Sequence, residues 1–553
     1  MNFSFPSKRL LGFLQQESDH PQTRLLVFSL IAGMANGALL AVINHGAGLV
    51  NEFSTEGTVQ IYYLAMFCAV LGLFTYTKKY TLDQAAVMVE QVLLKVRKRI
   101  SDKLRHTELE FIENYGYSHI YNCLFQDTLQ ISQSSAVVFA SIQAAIMLGF
   151  AMLYIVWLTP EGFLLTIGAI GLGAWVFLLK RAVIIRDIQE ATQQEARFFD
   201  AIEHTLEGFK EVKINRAKSL DLYQHQSRIA SVVQVLKSRT GINSVFVTMF
   251  SEVFFYILIA VILFVWPYFQ TTDPGTIIKL TASVLFIIGP LDLLFGSLPL
   301  FVKADAAVAN LRHLELQVDE ASRGAQTGEP AATVMPLFEQ LEFRDVCFEY
   351  QNVEEKQRFK VGPISLKVKA GEIIFIVGGN GSGKSTLLKL LTGLYYPTQG
   401  QIEVNGESLD RELYPDYREF FGIVFTDFHL FDRFYGAVDI NEKQVRMLIK
   451  DMGLADKTKF RDGAFTNINL STGQRKRLAL INAIADDRQI YVFDELAADQ
   501  DPEFRRHLYE ELLPDLRRLG KTIIAVTHDD KYFSHADRVI KMEEGHMREE
   551  TLP

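Results

Sequence analysis

The chain has 553 residues, a net charge of −9, 41 phenylalanines and three cysteines, and its mean hydropathy is slightly positive. That length exceeds what one hydrophobic core holds, so two or more domains are expected. The acidic balance gives no reason to expect nucleic acid as a partner, and Cys68, Cys123 and Cys347 are too scattered for a disulfide framework or a metal site.

Residues 3–16 mix apolar and basic side chains (Phe5, Lys8, Arg9, Leu10, Leu11, Phe13, Leu14). They read as a short helix lying in a membrane interface, or as a solvated leader. Residues 1–24 are polar and lack a small-residue cleavage site, so a cleavable signal peptide is not expected. Six hydrophobic stretches follow, at 25–43, 58–77, 136–158, 162–179, 245–266 and 280–302. Each is about long enough to cross a hydrocarbon core of roughly 30 Å as a helix. Together they predict an all-α transmembrane domain in contact with a lipid bilayer.

The connections at 45–57, 159–161 and 267–275 contain no Lys or Arg. By contrast, 78–135 carries Lys78, Lys79, Lys95, Arg97, Lys98, Arg99, Lys103 and Arg105, and 180–242 is also strongly basic. Positive charge stays on the cytoplasmic side, which places these two long segments and both termini there. Residues 82–109 and 184–214 repeat apolar side chains at helical spacing, predicting helical extensions that turn back near 111–119 and 207–218. The only charged residues in the six stretches are Glu252 and Asp292. Ionisable groups at membrane depth are costly and usually face a bundle interior or a watery cavity. Both are therefore candidates for an inward-facing substrate cavity, with Gly289-Pro290 predicting a local helix break beside Asp292. The competing reading puts both beyond the bilayer, solvated or paired with basic neighbours.

Residues 317–336, rich in Ala, Gly, Glu, Thr and Pro, read as a linker. The transmembrane domain is thus expected at 1–320 and a soluble α/β domain at 337–553. An apolar strand at 372–377 runs into Gly378-Gly379-Asn380-Gly381-Ser382-Gly383-Lys384-Ser385 and then a helix beginning with Thr386. Strand, G-x-x-x-x-G-K-S and helix make the phosphate-binding P-loop in its required context. Its glycines let backbone N–H groups converge on phosphate at a helix N-terminus. Lys384 then reaches the β- and γ-phosphates of ATP, and the Ser385 hydroxyl can hold Mg²⁺. Upstream, Tyr350 is a candidate for stacking on adenine. Downstream, strand 490–493 ends in Asp494-Glu495: Asp494 for Mg²⁺, Glu495 to polarise the attacking water. Asp501 follows in an Asp-Pro pair as a further candidate for the nucleotide site, and strand 523–526 delivers His528 towards the γ-phosphate.

Leu470-Ser471-Thr472-Gly473-Gln474-Arg475-Lys476-Arg477-Leu478 closely resembles the LSGGQ signature of ATP-binding cassette proteins, with Thr472 at the first glycine. Six membrane helices ahead of one cassette resembles that superfamily's exporter half-transporters across the whole chain. The resemblance implies that Ser471, Gly473 and Gln474 close on nucleotide held by the P-loop of a second chain, hence a homodimer or a heterodimer with a similar chain. Two departures stand out. Thr426 occupies the place where the family usually has Gln, offering a shorter oxygen towards Mg²⁺ or water. Arg461-Asp462-Gly463-Ala464-Phe465-Thr466-Asn467 replaces the acidic stretch common before the signature. The run Phe425-Thr426-Asp427-Phe428-His429-Leu430-Phe431 and the signature together look like the cyclic-peptide exporter branch associated with syringomycin- and pyoverdine-type peptides.

The resemblance therefore implies ATP-driven export of a cyclic or non-ribosomal peptide, such as a siderophore precursor or lipopeptide, across a bacterial inner membrane. The alternatives are a lipid or multidrug flippase on the same scaffold, or a membrane regulator whose cassette gates rather than pumps. Lys384, Asp494, Glu495 and His528 together argue against a gate, which need not keep a hydrolytic set. An importer is disfavoured because importers generally keep cassettes on separate chains. A self-processing peptide exporter is disfavoured because no protease domain with a catalytic Cys precedes residue 25.

Overall fold

The computed structural model describes residues 8–18, 23–48, 57–269, 273–322, 337–350, 359–436 and 441–550. Its contacts group the chain into two units: residues 1–103 with 116–318, and residues 104–115 with 319–553. Residues 3–7 of the amphipathic reading and 323–336 of the linker reading lie outside the described residues.

The first unit is helical. In chain order it contains α1 (Lys8–Glu17), α2 (Thr23–Gly48) and α3 (Gly57–Leu104). The short α4 (Leu109–Tyr115) belongs to the second unit. Then come α5 (Tyr117–Tyr121), α6 (Thr128–Leu158), α7 (Pro160–Glu207), α8 (Phe209–Ile214), α9 (Arg216–Ala260), α10 (Trp266–Phe269), α11 (Pro274–Gly296) and α12 (Leu298–Ala321). Among the described residues, six helical segments are long and apolar enough to cross a membrane. The two basic segments are not loops: α3 and α7 each run 48 residues, or roughly 70 Å at helical rise. The second turn falls at Gly208 and Asn215, where the Asn215 side chain accepts from the Lys218 amide and caps α9.

Polar pins hold these helices. Asn44 donates to Ser283 Oγ at 3.1 Å and to the Lys279 carbonyl at 3.2 Å, tying α2 to α11. Arg239 donates to the fully buried Asp187 carboxylate, tying α9 to α7. Arg99 bridges Glu17 and Glu315, joining α1, α3 and α12. The last of these corrects the N-terminal reading. Leu10, Phe13 and Leu14 are buried inside the protein, and the Leu10 amide donates to Asp305 at 3.0 Å. The apolar face of α1 is spent on protein packing, so the helix does not trail in solvent as a leader.

The sixth stretch also departs from expectation. α11 continues straight through Pro290, and the chain breaks instead at Ser297, which separates α11 from α12. Proline removes one helix hydrogen bond, yet Ile287 and Leu291 on either side are both buried and keep this segment seated. The helix also reaches further into the predicted linker, ending at Ala321 with Val318 fully buried.

The second unit is an α/β domain with two main sheets. One is antiparallel with order β2-β1-β4-β5, built from β1 (Gln340–Glu349), β2 (Lys360–Lys369), β4 (Gln399–Val404) and β5 (Glu407–Ser408). The other has order β12-β11-β3-β10-β9-β6. Its strands are β3 (Ile373–Gly378), β6 (Phe421–Val424), β9 (Ile490–Asp494), β10 (Thr522–Val526), β11 (Arg538–Glu543) and β12 (His546–Glu550). All its pairings are parallel except β11 with β12. A short hairpin pairs β7 (Phe460–Arg461) with β8 (Ala464–Phe465). β9 and β10 are buried at every residue, as expected for parallel strands covered on both faces.

Candidate active site

In an open parallel sheet, ligands bind beyond the carboxyl ends of the strands. Here those ends belong to β3, β6, β9 and β10. β3 leads into the P-loop, whose Gly378, Gly381 and Gly383 have φ of +151°, +74° and +100°. A Cβ on Gly378 would sit 2.3 Å from the Met542 carbonyl, so only glycine fits there. Helix α13 (Lys384–Leu391) starts at Gly383. Lys384 is 7% exposed, and its ammonium donates to the carbonyls of Gly378 and Gly379 at 2.9 Å each. The Ser382 hydroxyl is buried and has no hydrogen-bond partner among the described residues.

Tyr350 follows β1 and stands beside this loop. Its hydroxyl is 2.9 Å from Thr386 Oγ1, and its ring meets Phe348 and Tyr395 edge-on. Tyr350 and Phe359 line one open pocket together with Gly381, Ser382, Gly383, Lys384, Ser385 and Thr386. Gly379 and Asn380 line the neighbouring face of the loop.

β9 pairs with β10 and β6 in register, Asp494 opposite Val526 and Phe493 opposite Val424. The residues just past these strands are therefore neighbours. Thr426 Oγ1 donates to the Asp494 carbonyl at 3.2 Å. Burial pushes the Asp494 carboxyl up from its ordinary range, with Glu495 adding repulsion while Thr426 and Lys384 offset it. Glu495 Oε1 lies 3.1 Å from His528 Nε2, so two residues 33 positions apart form one dyad. Glu495 holds φ of +51°, a left-handed conformation costing about 1 kcal/mol for a residue with a Cβ.

The signature opens helix α16 (Thr472–Ala485), with Ser471 at its N-cap and the Ser471 amide donating to Gln474 Oε1 at 3.3 Å. A Cβ on Gly473 would meet the Asp499 carbonyl at 2.5 Å. Among the described residues no hydrogen bond joins 471–474 to the P-loop. Asp501 is engaged elsewhere: its carboxylate caps helix α17 (Pro502–His507), accepting from the Phe504 amide at 2.8 Å, and pairs with Arg477. Glu252 and Asp292, in the first unit, are neighbours and are both half-buried.

Sequence reasoning passed over Lys476, Phe359, Glu108 and Glu113. Lys476 had a signal, because it lies on the same helical stripe as the buried Leu480 and Ile484. Glu108 and Glu113 had none, since one precedes α4 and the other lies within it, and α4 joins the second unit through contacts distant in sequence. Glu113 accepts from Lys389 at 2.7 Å and from the Tyr395 hydroxyl. Glu108 accepts from Tyr396 at 2.6 Å and from Arg418 at 3.0 Å. Burial first, then the Glu108 carboxylate, pushes the Tyr396 phenol up to about 12, so it stays a proton donor. Lys389 sits at the far end of α13 from Lys384.

Comparison with known proteins agrees with this architecture. Residues 24–291 match the ABC transporter transmembrane region, and residues 361–498 match the ABC transporter family. The chain is 32% identical over 545 residues to the ATP-binding protein SyrD of Pseudomonas syringae pv. syringae, covering 96% of this chain and 94% of that one. It is 26% identical over 534 residues to an ATP-dependent lipid A-core flippase of Burkholderia orbicola (strain AU 1054), covering 93% and 86%. A solved structure of a bacterial Atm1-family ABC exporter with ATP bound shares the fold, with a TM-score of 0.74, 17% identity and 96% and 95% coverage. This chain belongs to the ABC transporter family: a multi-span membrane protein of the exporter type that carries its transmembrane region and ATP-binding cassette on one polypeptide and couples ATP hydrolysis to transport.

Proposed function

We propose that the chain exports a cyclic or non-ribosomal peptide across the bacterial inner membrane, with both termini and the cassette in the cytoplasm. The observation that carries the ATPase half of this reading is the convergence of P-loop, Asp494, Thr426 and the Glu495–His528 dyad at one sheet edge. Glu495 serves as base or water-positioning group, oriented by His528, which faces the γ-phosphate. Lys384 leaves its loop carbonyls for the β- and γ-phosphates, and Tyr350 offers its ring to the base. The oxygen donors Ser385, Thr426 and Asp494 suit Mg²⁺, and the raised Asp494 carboxyl is what a nearby cation would discharge. When bound, Mg²⁺ would neutralise phosphate charge.

The nucleotide site is completed by Ser471, Gly473 and Gln474 of a second identical chain, while Asp501 supports that signature helix through Arg477 rather than touching nucleotide. Exposed Phe209, Ile214 and Leu220 at the second turn support an assembly of more than one chain. A mixture of Lys384→Ala and Ser471→Ala chains then contains one intact site per mixed dimer. ATPase should partly recover over either parent, and no recovery despite subunit exchange would sink the head-to-tail arrangement. Closure reaches the membrane helices through α4, held to α13 by Lys389 and Glu113.

The peptide substrate is supported by the Phe425–Phe431 run, the signature, and 32% identity to SyrD against 26% to the flippase named above. The flippase relatives favour a second reading, lipid transport. ATPase in proteoliposomes titrated with a cationic lipopeptide and with lipid A-core separates the two: stimulation by the lipid alone would reverse the assignment. Within the membrane unit, the Glu252–Asp292 pair is the proposed contact for cationic or donor groups of the substrate. Asn at both positions should abolish stimulation by substrate while sparing basal ATPase, and unchanged stimulation would remove the pair from the cavity.

A further inference from the structure

Lys476 is a lysine where a helix core is expected. It is 3% exposed, in the first turns of α16. Burying an ammonium is strongly unfavourable unless its donors are used. Here it has three acceptors: the Glu495 carbonyl at 3.2 Å, the Ala498 carbonyl at 3.4 Å and the Asp499 carboxylate at 3.1 Å. A lysine ammonium has three N–H donors, so the set is complete.

The two residues at the ends of that set share a second property. Glu495 and Asp499 have φ of +51° and +63°. Neither is glycine, so the loop after β9 is strained at both points. Lys476 bonds the backbone of one and the side chain of the other. Flanking contacts run between the same two segments: Gln500 donates to the Gly473 carbonyl at 3.0 Å, and Arg477 donates to Gln500 at 2.9 Å. The carbonyl gripped by Lys476 belongs to the very residue whose carboxylate meets His528.

We propose that Lys476 is a positioning residue for hydrolysis: it holds Glu495 in its left-handed conformation, so that the carboxylate points at the attacking water, and it does so within its own chain. This rests on the role given above to Glu495. Because Lys476 shares a helix with Ser471 and Gly473, the helix that engages one nucleotide site thereby sets the catalytic glutamate of the other.

The test uses the full-length transporter in lipid. Lys476→Met keeps length and removes the donors, and Lys476→Gln restores one amide donor group. Misplacement of a reacting group by about 1 Å costs on the order of 100-fold. Lys476→Met should therefore lower kcat by roughly 10- to 100-fold with the KM for ATP and the binding of a fluorescent ATP analogue within twofold of the parent. Lys476→Gln should recover part of kcat. A merely structural lysine would instead lower binding and thermal stability together. Mixing fixes which site is affected. A Lys384→Ala chain paired with a Lys476→Met chain has no intact site if Lys476 acts on its own Glu495, so activity stays low. Recovery in that mixture, or a Lys476→Met kcat within twofold of the parent, overturns the proposal. Glu495→Gln is run alongside: if it keeps normal turnover, the role of Glu495 fails first, and a low kcat in Lys476→Met then needs another cause, which also overturns the proposal. Failure of the Ser471→Ala and Lys384→Ala mixture to recover would count against the head-to-tail arrangement alone, leaving the kcat comparison to decide on Lys476.

Discussion

Glu495→Gln separates a catalytic role from a structural one by magnitude. Among the described residues the Glu495 carboxylate has one side-chain polar partner, His528 Nε2 at 3.1 Å, and the two side chains are 30% and 52% exposed. An exposed pair of this kind contributes about 0–1 kcal/mol, and Gln preserves an acceptor oxygen at the same reach. The backbone strain at φ +51° is the same for Glu and Gln. Folding stability should therefore move by less than about 1 kcal/mol. Loss of a general base costs about 100- to 10,000-fold in rate, or roughly 3–5 kcal/mol of barrier at 1.36 kcal/mol per tenfold. Steady-state ATPase would show that fall, and thermal melting without nucleotide would show almost none. Added ATP should stabilise the variant more than the parent, because the ligand is not consumed. Turnover within tenfold of the parent, or a melting loss as large as the activity loss, would refute the assignment.

Lys384→Ala should weaken ATP binding itself, read by titration of a fluorescent analogue, unlike Glu495→Gln. Asp494→Asn should melt higher than the parent without nucleotide and lose the extra stabilisation conferred by Mg²⁺ with ATP. The sign follows from burial: the folded Asp494 pKa lies above its ordinary 3.8, so its contribution is full below that value and is lost as pH rises through the folded pKa. Above that window the parent carries the cost of a buried charge and the Asn variant does not. Glu108→Ala with Glu113→Ala removes the acceptors of Arg418, Tyr396, Lys389 and Tyr395. Basal ATPase should persist while substrate stimulation falls at least severalfold, and intact stimulation would show that α4 carries no coupling.

The membrane helices were legible because a long apolar run needs no knowledge of its neighbours. The two turns were legible because helical spacing stops there, at Gly116 in one case and at Gly208 and Asn215 in the other. Pro290 misled for a physical reason. A proline is a local signal for a break, but whether the helix breaks depends on how its sides are buried, and Ile287 and Leu291 hold it together. The real break at Ser297 does carry local signals, Gly296 just before it and Pro299 in the first turn of α12, and Pro290 was weighted instead. The grouping of α4 with the second unit was likewise invisible, since it is made by Glu108 and Glu113 against partners some 276 to 310 positions away.

Within the site the same contrast separates two loops. The P-loop carries its conformation in its own composition: its positive φ angles fall on Gly378, Gly381 and Gly383, where they cost little. A motif of this kind is read from sequence because the residues that do the chemistry also permit the backbone. The loop after β9 is different. Its positive φ angles fall on Glu495 and Asp499, residues with a Cβ, and Glu in particular disfavours that region. The conformation is held against α16, by the buried Lys476 ammonium and by the loop's own Gln500 amide, which reaches the Gly473 carbonyl. Sequence therefore nominates Glu495 by its chemistry while leaving open how it is aimed. The direction of a carboxylate held this way, proposed above as catalytic, depends on the seating of the signature helix, whereas the phosphate cradle does not.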